Sequence, residues 1–127
     1  MLRSVTLSVA LCVLAAACAL FEPPVPPGTV ATHARVKNLE NFPVELAVKM
    51  TTSGVLLGAV SPASLPANGT AQVTFYLPVS GDWWITVNES DMYGAADIRE
   101  VGVGCGQLDM EVSADGHGGL GCASTKP

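Results

Sequence analysis

The feature that most constrains this chain is a two-residue hydrophobic alternation that returns in seven short stretches, at 29–37, 43–51, 55–60, 70–77, 83–88, 98–103 and 107–113. A strand points successive side chains to opposite faces, so an alternating stretch has one face to bury and one to leave wet. In the clearest case Val44, Leu46, Val48 and Met50 share a face against Glu45, Ala47 and Lys49. Ala71, Val73, Phe75 and Leu77 repeat the pattern against Gln72, Thr74 and Tyr76, and Leu108, Met110 and Val112 alternate with Asp109, Glu111 and Ser113. Turn-forming residues separate the stretches, and no segment sustains a helical repeat. Seven strands with one apolar face each cannot hide those faces in a single open sheet. The pattern predicts an all-β domain over 29–127, a small seven-stranded antiparallel β-sandwich of immunoglobulin-like size, with a small β-barrel as the second architecture.

The first residues obey a different rule. After Arg3 comes an apolar run from Val5 to Ala17 broken only by Thr6 and Ser8. At about 1.5 Å of helical rise per residue this run is too short for a hydrocarbon core of about 30 Å, so it reads as an export signal over 1–17. It ends in Leu14-Ala15-Ala16-Ala17-Cys18, which resembles the lipobox of bacterial lipoproteins. The resemblance implies that Cys18 becomes the mature N-terminus and carries a diacylglyceryl thioether, often with a third acyl chain such as palmitate. It further implies an extracytoplasmic, membrane-anchored protein, on the outer membrane where the cell has one, because Ala19 is not the aspartate that holds such proteins at the inner membrane. Small residues at positions 15 and 17 also suit an ordinary signal peptidase, whose product would be secreted and soluble.

Cysteine arithmetic agrees with the anchored reading. Of four cysteines, Cys12 lies in the signal and Cys18 is taken by the anchor, leaving Cys105 and Cys122 to pair as a disulfide in an oxidising compartment; two buried free thiols are the alternative. Between anchor and domain, Pro23-Pro24-Val25-Pro26-Pro27-Gly28 favours a stiff extended spacer, so 18–28 reads as anchor and tether.

The run from Val60 to Phe75 resembles the Pro/Gly-rich loop and following strand of bacterial immunoglobulin-like and fibronectin-like modules. It implies a fold only, since fold does not carry function. Catalytic chemistry is thinly supplied. Only His33 and His117 are present, and no nucleophile elbow, phosphate loop or zinc-protease motif occurs. His33 shares the polar face of its strand with Arg35 and Lys37. Potential metal ligands crowd only in Asp109, Glu111, Asp115 and His117, which suggest a periplasmic metal-handling protein as the alternative function, although their spacing matches no calcium or copper loop. Glycine turns account for 115–116 and 118–119 without a metal.

Trp83 and Trp84 must face opposite ways. With Trp83 inside beside Ile85 and Val87, Trp84 stands on the outer face as a contact for an envelope protein or a glycan, which Tyr76 and Tyr93 would extend. Packing of Trp84 against the 38–42 loop or the tether is the alternative. Asn68-Gly-Thr and Asn88-Glu-Ser fit a glycosylation pattern but read as turn residues beside a bacterial export segment. A net charge of −5 argues against a nucleic-acid partner. The sequence thus leads to a non-enzymatic, lipid-anchored envelope protein without a cofactor, serving as a binding or structural accessory module.

Overall fold

The structure, a computed structural model, describes residues 25–116 and 118–126. The export signal, Cys18, the start of the proline run and His117 lie outside the described residues. Among the described residues, ten strands and one helix follow in the order β1 (Thr29–Asn38), β2 (Val44–Met50), β3 (Gly54–Val55), β4 (Val60–Ser61), β5 (Ser64–Leu65), β6 (Thr70–Pro78), β7 (Trp83–Val87), β8 (Ser90–Gly94), α1 (Ala95–Gly102), β9 (Cys105–Val112) and β10 (Leu120–Thr125).

The strands form two sheets, ordered β10-β9-β1-β6-β4 and β3-β2-β7-β8, with β5 paired to β2. Neither closes into a barrel. The run β1-β6-β4 against β3-β2-β7-β8 has the strand order of immunoglobulin-like sandwiches, in which the second, fifth and fourth strands of one sheet face the third, sixth and seventh of the other. One pairing departs from the expected antiparallel sandwich. β9 takes the place beside β1 and runs parallel to it, matching Ala34–Asn38 with Leu108–Val112. A parallel neighbour requires a crossover rather than a hairpin, and α1 supplies it by carrying the chain from β8 in one sheet to β9 in the other.

The alternation places the core where expected. Val36, Val44, Val48, Val73, Phe75, Ile85, Val87, Met110 and Val112 are fully or almost fully buried between the sheets. Trp83 joins them at 1% exposure, whereas Trp84, one residue on, is only partly covered. Asn38 is a buried polar hub. Its side-chain amide donates to the carbonyls of Phe42 (2.9 Å) and Pro66 (3.0 Å), and its side-chain oxygen accepts from the Glu40 amide (2.9 Å), which fixes two loops at one end of the sandwich.

Two expected strands are corrected. The 98–103 stretch is helical, because Ala95, Ile98 and Val101 lie at helix spacing on one face and the Asp97 carboxylate accepts the Gly94 amide at 2.9 Å, capping the first turn. The 55–60 stretch forms only the ends of β3 and β4, since Gly58 at φ +76° turns the chain between them. Two strands, β5 and β8, arise where turns were expected, and β10 forms beyond the last expected strand.

Candidate functional site

The residues singled out from the sequence fall on several different surfaces. Trp84 stands on the outer face of the β2–β7–β8 sheet, opposite Gly94 of β8, and its ring lies so close that a Cβ on Gly94 would sit 3.3 Å from it. It therefore covers a glycine edge of its own sheet, as aromatics do beside strand glycines, rather than the 38–42 loop. Tyr76 lies on the outer face of the other sheet, across the sandwich from Trp84, because it is opposite Ala31 in the β1/β6 ladder. Tyr93 pairs with Ile85 and turns inward, leaving 8% exposed. The three aromatics do not make one surface.

Tyr93 has a structural task instead. Its hydroxyl lies 2.6 Å from the Glu111 carbonyl and 2.9 Å from the Gly119 carbonyl, tying β8 in one sheet to the β9–β10 segment in the other. Burial, with the nearby Glu111 and Asp97 carboxylates adding to it, pushes the phenol up to about 12. Gly118 lies against this link so tightly that a Cβ there would collide with the Glu111 carbonyl oxygen. Close approach, rather than turn freedom, demands that glycine; Gly116, at φ +86°, does serve a turn.

The acidic candidates are engaged locally. Asp109 accepts a 3.0 Å ion pair from Arg35, its neighbour in the parallel ladder, and Glu111 stands beside Lys37 in the same register. Asp115 accepts a hydrogen bond from Ser113. Among the described residues no three His, Cys, Asp or Glu side chains come together as a metal site, and His117 lies outside them. His33 is exposed on the Arg35–Lys37 face, with Nδ1 at 3.2 Å from the Thr74 hydroxyl. Cys105 and Cys122 form a disulfide with 5.8 Å between their Cα atoms, joining the start of β9 to β10. Asn68 and Asn88 occupy left-handed turn positions at φ 54° and 48°.

A different place has the character of a binding site, and sequence reasoning did not single it out. A groove of about 560 Å3 opens between α1, the start of β9 and the first half of β1. Leu77, Trp83, Ile98 and Leu108 are among the apolar residues that line it. Val30, Val79 and Val103, all lining residues, are 55%, 62% and 85% exposed. Apolar residues left in water singly are ordinary, but three converging on one concavity make it a candidate interaction surface. Among the described residues, the ionisable side chains lining it are those of His33, Arg99 and Lys126, with no carboxylate.

The groove exists because β9 stops short. β6 accompanies β1 from Thr29 to Lys37, whereas β9 joins it only from Ala34 onward. The two strands splay apart before that point, and α1 stands off to the side. No single residue in 29–33 announces this, since it follows from the crossover that puts β9 beside β1. Compared with protein-family models, with curated proteins and with solved structures, the chain matches none.

Proposed function

We propose that the protein is a non-enzymatic, lipid-anchored module of the cell envelope that holds a partner in the groove beside β1. The observation that carries the binding role is the convergence of exposed Val30, Val79 and Val103 on a concave apolar surface of the sandwich. Water gains nothing from those side chains, and a partner that covers them is stabilised by the apolar area removed from solvent. The anchored, extracytoplasmic location is supported by the lipobox-like run ending at Cys18 and by the Cys105–Cys122 disulfide, a bond that persists in oxidising compartments. Two or more acyl chains at Cys18 would hold the domain firmly at a bilayer, and the prolines that follow would space it from the surface.

The test is metabolic labelling with an alkyne fatty acid in a bacterial host, comparing the native chain with Cys18→Ser. The native chain takes up label and sediments with membranes, and the variant does neither. An unlabelled native chain in the soluble fraction would defeat the anchored reading in favour of simple secretion.

A further inference from the structure

We infer that the groove receives an extended segment of a partner protein by strand addition to the free edge of β1, and that the segment is apolar at alternate residues and carries acidic residues. The inference rests on the reading of the groove as the binding site and names the chemistry of its occupant.

The backbone supplies the first argument. The Tyr76 amide donates to the Ala59 carbonyl at 2.7 Å, on the side of β6 away from β1. Tyr76 is opposite Ala31, so this is a non-hydrogen-bonded pair of the β1/β6 ladder. The N–H and C=O of Ala31 therefore point away from β6, into the groove. The Val79 amide donating to the Gly28 carbonyl fixes the same parity at the neighbouring step, and Pro78, which has no N–H to give, stands opposite Thr29 where none is used. Among the described residues no strand pairs with β1 on that side before Ala34. A stretch of β-strand with its hydrogen-bonding groups facing a groove is a template for one more strand.

Side chains supply the second argument. A strand laid along this edge would turn every other residue toward the floor formed by Trp83, Ile98 and Leu108, and the rest toward solvent. Charge points the same way. The protein has only six Lys and Arg residues against eleven acidic ones, yet two of the six, Arg99 and Lys126, line this groove, and among the described residues its wall holds no carboxylate side chain. Arg99 donates to a neutral acceptor, the Gly81 carbonyl (3.3 Å), whereas Arg35 and Lys49 are paired to the carboxylates of Asp109 and Asp91. An acidic segment complements this local field, while a second copy of this acidic chain is opposed by like charge overall.

The probe is a fluorescein-labelled peptide, Asp-Val-Thr-Val-Thr-Val-Asp, titrated into the full-length chain in detergent and followed by fluorescence anisotropy. A counterpart N-methylated at alternate residues keeps the side chains but loses the donors on one edge. Ala31→Pro removes the amide that faces the groove and leaves the β6 ladder untouched. Arg99→Glu combined with Lys126→Glu reverses the local charge. The expected result is saturable binding, weakened about tenfold or more by N-methylation, by Ala31→Pro and by the charge reversal, with unchanged thermal midpoints for the variants. Binding that ignores N-methylation and Ala31→Pro would overturn strand addition while leaving the groove as a site. Absence of saturable binding, or a concentration-dependent dimer that occludes the peptide, would overturn the inference outright. Acylation of Cys18 has its own readout, so failure of the envelope reading is seen separately.

Discussion

At the scale of single residues, the most telling side chain is Tyr93, which the alternation of its neighbours conceals. Asp91-Met92-Tyr93 contains a bulge in its pairing with β7, so inward and outward cannot be counted from the sequence. Its phenol is pushed from 10 up to about 12 in the folded chain. A raised folded value means that the neutral form stabilises the fold fully below pH 10 and that this contribution fades as pH climbs from 10 to about 12. Tyr93→Phe is expected to cost about 1 kcal/mol at neutral pH through its lost hydrogen bonds. That difference should shrink steadily over the alkaline window in paired urea titrations. A constant gap between the two proteins across that window would deny the phenol its role. Trp84 teaches the converse lesson. Its outward direction was readable, but the glycine opposite it was not, because cross-strand partners depend on a register that the sequence leaves open.

At the scale of elements, long alternating strands were legible and short or edge ones were not. β2, β6, β9 and the second half of β1 bury alternate residues, so their composition records their environment. β8 was hidden because its hairpin turn is Asn88-Glu89, both at positive φ (48° and 71°), and a glutamate there lacks the Asn-Gly signature that normally flags a tight turn. β10 is mostly exposed along its length and so carries no alternation to detect. α1 resembles a strand in sequence because Ile98, Val101 and Val103 are β-branched; Asp97 as a cap is the local signal for helix. The disulfide belongs to this scale, since it holds β10 on β9 where the ladder between them is irregular. Replacing Cys105 and Cys122 together by alanine is expected to lower stability by about 3 kcal/mol in the loop-closure picture. Calorimetry checks this, and a change near zero would mean that the ladder alone holds the edge.

At the scale of the whole molecule, the two-layer architecture was written in the sequence while the groove was not. The groove depends on a parallel partner arriving through a helical crossover and stopping half-way along β1, which is a property of topology rather than of any residue type. The same topology makes a sharp local statement. Thr32 is directed at β6 and Ala31 at the groove, so two consecutive amides on one strand should differ in protection. Native-state hydrogen exchange read residue by residue tests this most directly. The account predicts that the Ala31 amide exchanges about a hundredfold or more faster than that of Thr32 in the free protein. Equal, strong protection of both amides would show the edge of β1 already covered and would contradict the groove as a place where a strand is received.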